Sequence, residues 1–123
     1  NDCLDLSGSK AQIRNVIIDG AGDKGISIGE RSEAAVTGGT IRDAPIGVAS
    51  KDDSRVRITG LSVISSKTGL AAYQKKGELA GAFIDAEGIT LEDVVRPFVR
   101  DGGSRIRVDG ADVAAEPFKG EGG

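Results

Sequence analysis

Residues 22–32 read GDKGISIGERS, residues 44–54 read APIGVASKDDS, and residues 66–76 read SKTGLAAYQKK. Gly25, Gly47 and Gly69 mark the same point in each stretch, and an apolar residue follows each of them: Ile26, Val48 and Leu70. A chain that repeats itself every 22 residues has few ways to fold. One such repeat is too short to bury an apolar face by itself, so neighbouring repeats must stack. The register extends back to Leu4, after Cys3, and forward across an insertion to Phe98, after Pro97.

A second pattern follows in every repeat, with apolar or small residues at relative positions 0, 2, 5 and 7. Ala11, Ile13, Val16 and Ile18 fit it, as do Ala34, Val36, Gly39 and Ile41. So do Val56, Ile58, Leu61 and Val63; Ile84, Ala86, Ile89 and Leu91; and Ile106, Val108, Ala111 and Val113. These spacings are two period-2 strands separated by a corner. The corner position carries Asn15, Gly38, Gly60, Gly88 and Gly110, residue types that tolerate positive φ. The pattern predicts an all-β fold, a right-handed single-stranded parallel β-helix of about five coils. Each coil has about 22 residues and three short strands, stacked at the inter-strand spacing of roughly 4.8 Å. Leu4, Ile26, Val48, Leu70 and Phe98 form one inward column.

The β-helix is expected over residues 1–113. The stretch YQKKGELAGAF, residues 73–83, lengthens one coil by six residues and is expected to protrude as a loop. Ile84 then returns inward between Val56 and Ile106, and removal of Lys75–Ala80 is expected to leave the fold intact, since loop length is a weak term. Residues 114–123, AAEPFKGEGG, form a cap or a disordered tail with Phe118 as the anchor.

The chain has one Tyr, three Phe and no Trp, His or Met, so its core must be aliphatic. A net charge of −3 with both signs interspersed is no footprint for nucleic acid. No apolar run approaches 18 residues, so no membrane insertion is expected. Cys3 is the sole cysteine, which rules out an internal disulfide. Without a His to activate it, it reads as a small buried residue. The chain opens at NDCLDLSGS with no signal peptide and reads as a mature chain or a piece of a longer one.

NDCLDLSGS, GDKGISIGERS, PIGVASKDDS and GLAAYQKKGE, in this order and spacing over residues 1–92, resemble a family of bacterial parallel β-helix domains in the pectin lyase-like superfamily. The resemblance implies a place at the C-terminal end of a larger secreted or envelope-associated bacterial protein, in some cases beside a spore-coat-kinase-like module. It therefore implies an extracellular or cell-envelope location. The superfamily includes polysaccharide lyases, hydrolases and epimerases, but a fold does not transfer an activity. Hydrolases of this group carry an aspartate trio with Gly-His-Gly and Arg-Ile-Lys. This chain has no histidine, and its RIRV at Arg105–Val108 lies in the last coil without such partners.

Two groups of residues are candidates for ligand binding. Stacking places Asn1 beside Asp23, Asp2 beside Lys24 and Asp5 beside Ser27, which crowds Asp2, Asp5 and Asp23 into one patch. Paired carboxylates suit glycoside hydrolysis or hard cations; an Asp2–Lys24 ion pair across coils is the plainer reading. The second group is the corner after the first strand, Glu30, Asp52 and Gln74, with Lys51 and Tyr73 beside it. One aromatic among polar groups suits a sugar face, and a solvated corner of mutually paired charges is the plainer reading. No catalytic set, metal site or cofactor is expected. The chain reads as a non-catalytic scaffold or carbohydrate-binding module, with polysaccharide as its partner. The alternative is a fragment of a polysaccharide lyase or hydrolase whose site uses Asp2, Asp5 and Asp23. End-to-end self-association through the N-terminal coil edge is also expected.

Overall fold

The computed structural model describes residues 2–118. Asn1 and residues 119–123 lie outside the described residues, and with them the expected Asn1–Asp23 neighbourhood and the end of the expected cap or tail. The alternating segments form β1 (Leu4–Ser7), β2 (Lys10–Asp19), β3 (Lys24–Gly29), β4 (Glu33–Arg42), β5 (Ile46–Lys51) and β6 (Arg55–Thr59). They continue as β7 (Ser62–Tyr73), β8 (Phe83–Glu87), β9 (Thr90–Arg100), β10 (Arg105–Val108), β11 (Ala111–Asp112) and β12 (Glu116–Pro117). The described residues contain no helix, so the fold is all-β.

The pairing is parallel throughout except between β10 and β11, and every strand but β11 pairs with its counterpart one repeat away. The first ladder runs Leu4, Ile26, Val48, Leu70, Phe98. The second runs Ala11, Ala34, Val56, Ile84, Ile106. The third runs Ile18, Ile41, Val63, Leu91. This register is compatible with a β-helix-like solenoid. All three ladders contribute to one apolar core, in which Ile26, Ile28, Val36, Ile41, Val48, Ile58, Leu70 and Ile84 are fully buried. Each such aliphatic side chain contributes roughly 1.5–3 kcal/mol. Leu4, Leu6 and Ile13 at one end, and Ile89, Phe98 and Val108 at the other, are only partly buried. End repeats have a neighbour on one side only.

Strand lengths differ from the expectation of separate short strands. β2 and β4 run unbroken through the corner residues Asn15 and Gly38. Arg14 pairs with Thr37 and Val16 with Gly39 on either side of the bend. In β2 the single left-handed residue Asn15 turns the chain, and in β4 Gly38 and Gly39 both have positive φ, while the neighbours keep their ladder pairing. The corner residues Asn15, Gly38, Gly60, Gly88 and Gly110 have φ of 51, 70, 69, 62 and 85°.

Two further corners use left-handed backbone, with Gly8 and Gly20 in the first repeat and non-glycine residues after it. Glu30, Arg31, Asp52 and Asp53 lie between the first and second strands of their repeats, and Asp43, Ser65 and Asp93 follow the third. The short polar side chains of Asp are among those that best tolerate this region. Gly25, Gly47 and Gly69 have a different reason to be glycine. A Cβ on each would sit 2.8, 2.8 and 2.7 Å from the carbonyl oxygens of Gly47, Gly69 and Pro97 in the next repeat. Cys3, in the same column, is exposed rather than buried, because β1 has no strand on its other side among the described residues. Its thiol reaches only the Gly20 carbonyl, at 3.7 Å.

Candidate functional site

The first ladder carries both sequence-derived candidate groups on or beside its outer face. Lys24 opens β3 and is almost entirely buried. Its ammonium lies 2.6 Å from Asp23 Oδ2 and 3.8 Å from Asp2 Oδ1, and its backbone N–H donates to Asp2 Oδ1 at 3.2 Å. Asp2 and Asp23 thus bracket a buried cation, and removing both acids would strand a charge away from water. Asp5 pairs in register with Ser27 and is exposed. Among the described residues no three acidic, Cys or His groups converge to hold a metal ion.

Lys51 joins this neighbourhood from the second group. Its side chain lies over Gly29, where an added Cβ would sit 3.4 Å from Lys51 Cε. Burial and then the Lys24 ammonium push its pKa down, against the pull of Asp5 and Asp2. Tyr73 is fully buried. Burial, followed by the carboxylates of Asp23, Asp2 and Asp52, pushes its hydroxyl pKa well up. Its ring stacks on Phe118 with centroids 3.9 Å apart and planes within 5°.

The remaining members of the second group hold the insertion. Asp52, buried, accepts from the backbone N–H groups of Lys75 and Lys76 at 2.6 and 2.9 Å. The Gln74 amide donates to the carbonyls of Lys76, Gly77 and Leu79, and its own N–H donates to Asp101 at 2.7 Å. Glu30 pairs with Lys76 and accepts from Ser7, contacts that lower the pKa of its carboxyl, Lys76 the more. Asp52 and Gln74 therefore organise the segment between β7 and β8.

An open face formed by residues outside both groups lies on the second ladder. Arg55, Phe83 and Arg105 are consecutive partners in one column, and Arg57, Asp85 and Arg107 in the next. A groove of about 370 Å³ is lined by Glu33, Ala35, Arg55, Arg57, Phe83 and Asp85. A second, of about 250 Å³, is lined by Asp53, Arg55, Phe83, Gly103 and Arg105, so Phe83 and Arg55 border both. The Arg105 guanidinium lies 5.5 Å from the Phe83 centroid, a cation–π distance. The signal for this face was in the sequence, at the positions between the inward residues of RVRIT, FIDAE and RIRV.

Polar bonds between repeats also escaped the apolar template. Ser32 accepts from the Ser9 N–H at 3.1 Å, Ser54 donates to the Ile28 carbonyl at 3.0 Å, and Ser104 accepts from the Ala82 N–H at 2.9 Å. These hydroxyls satisfy corner backbone groups that stacking would otherwise bury unpaired. No family model, curated protein or solved structure matches this chain.

Proposed function

We propose that this chain is a non-catalytic right-handed parallel β-helix of about five coils. In this reading it serves as the scaffold and carbohydrate-binding module of a larger bacterial surface or secreted protein. The right-handed winding follows the usual handedness of parallel crossover connections. The location follows the motif resemblance over residues 1–92. The observation that carries the binding function is the groove at Phe83. An aromatic ring flanked by guanidinium groups offers a platform for the apolar face of a sugar and fixed donors for its oxygens.

The alternative, a fragment of a polysaccharide-cleaving enzyme, needs Asp2, Asp5 and Asp23 free for proton transfer or nucleophilic attack. Asp2 and Asp23 instead bracket the Lys24 ammonium, which argues for a structural role. Phe83→Ala tests the binding reading against a panel of neutral and acidic glycans. Retention of wild-type affinity in that variant, or no binding to any glycan, overturns it.

A further inference from the structure

Two buried hydroxyls on the outer face of the first ladder have no hydrogen-bond partner among the described residues, Ser27 Oγ and Tyr73 OH. Native proteins rarely leave such groups unpaired, and the exceptions mark a missing water, ion or ligand. The ladder places Ser27, Ala49 and Ala71 in one column, and Lys51 and Tyr73 as partners in the next but one position along the strands. The Tyr73 ring packs with Ala49 and Ala71. Ser27 lies two strands from β7 and two positions back along the strands from Tyr73, on the same outward face.

Phe118 covers the Tyr73 ring, and it is weakly held. β12 pairs with β9 through two residues only, Glu116 with Val99 and Pro117 with Arg100. Pro117 has no N–H to give to the ladder. Among the described residues one further backbone bond, from the Phe118 N–H to the Arg100 carbonyl at 3.1 Å, joins this segment to β9. Phe118 itself is only partly buried.

We propose that Glu116–Phe118 is a strap that lifts from this face and uncovers a second binding site, for a sugar ring. The sugar takes the place of the Phe118 ring against Tyr73. Its hydroxyls satisfy Tyr73 OH and Ser27 Oγ, with the Lys51 ammonium beside them. The choice of ligand class rests on the carbohydrate reading above; the strap rests on the stacking and the short pairing alone.

Tyr73 is the only tyrosine and the chain has no tryptophan, so intrinsic emission reports on this residue alone. Acrylamide quenching is expected to be weak in the wild type and several-fold stronger in Phe118→Ala. Neutral oligosaccharides, such as xylohexaose and maltohexaose, are expected to restore the protection in Phe118→Ala. Ser27→Ala, placed in the same background, is expected to weaken that restoration without changing quenching in the absence of sugar. Tyr73 equally shielded in Phe118→Ala overturns the strap, as does loss of cooperative unfolding, since a strap that lifts cannot be essential to the fold. Stronger quenching that no saccharide reverses overturns the site. Phe83→Ala separates the two faces. Binding that depends on Phe83 but never protects Tyr73 removes this site and leaves the groove, while protection of Tyr73 that survives Phe83→Ala is the result expected of a second, separate site.

Discussion

Tyr73 and Gly60 show how position in the repeat sets what one residue does. Burial and three nearby carboxylates raise the Tyr73 hydroxyl pKa, so the folded chain keeps this proton where an unfolded tyrosine, near pH 10, loses it. Its contribution to stability is therefore fully present below about pH 10 and is lost as pH rises through the folded pKa. Tyrosinate absorbance should appear at clearly higher pH in the native protein than in urea; coincident titrations would contradict the burial of this hydroxyl. Gly60 has φ of 69° and open space where a Cβ would project, so substitution there tests backbone strain without crowding. Gly60→Val should cost about 1–2 kcal/mol and Gly60→Asn much less, because Asn15 already fills the same corner at φ of 51°. Gly38→Val should cost more than Gly60→Val, since its Cβ would also sit 2.7 Å from Asn15 Oδ1. Urea midpoints of the three variants check the order. This column was legible because Gly and Asn announce positive φ. The left-handed Glu30 and Arg31 were not, because neither residue type signals that conformation.

At the scale of elements, the segment between β7 and β8 departs from what its length suggests. The template correctly returns Ile84 to the core, paired with Val56 and Ile106. Chain length alone implies that Lys75–Ala80 can be removed at little cost. The deletion, however, takes away both N–H donors to the buried Asp52 carboxylate. It should destabilise the protein by about 1–3 kcal/mol or more, the cost of a buried group left without partners. Asp52→Asn should recover part of that loss in the deleted chain yet destabilise the intact one. A double-mutant cycle from unfolding curves measures this coupling, and additive effects would show that the Asp52 bonds carry no weight. Such anchors lie beyond a reading of apolar period, because a side chain that bonds to backbone more than twenty residues away leaves no repeat. The Phe83 face, in contrast, is readable from outward parity, whereas Tyr73, the aromatic beside the corner group, is buried.

For the whole molecule, one 22-residue rule generates three parallel ladders that contribute to one aliphatic core. Stability should then be close to a sum over repeats and their interfaces. Among the described residues β1 pairs only with β3 and β2 only with β4, leaving a strand edge that invites further pairing. Light scattering across a concentration series is expected to show association that Ile13→Lys weakens; a monomer at every concentration would remove self-pairing of that edge from the account. The inward columns and their register were legible because they repeat. The face proposed to bind carbohydrate is legible only residue by residue, because Arg55, Phe83 and Arg105 become neighbours once stacking brings three repeats together. The central claim is that this face binds carbohydrate and that the chain does not cleave it. Calorimetric titration of glycans into the wild type and Phe83→Ala tests both parts at once. The account predicts a saturable heat with at least one glycan, weakened roughly tenfold or more by Phe83→Ala, as the loss of about 1.4 kcal/mol would do. Equal affinity in the two proteins would contradict it, as would a continuing heat of turnover that Asp5→Asn or Asp23→Asn abolishes.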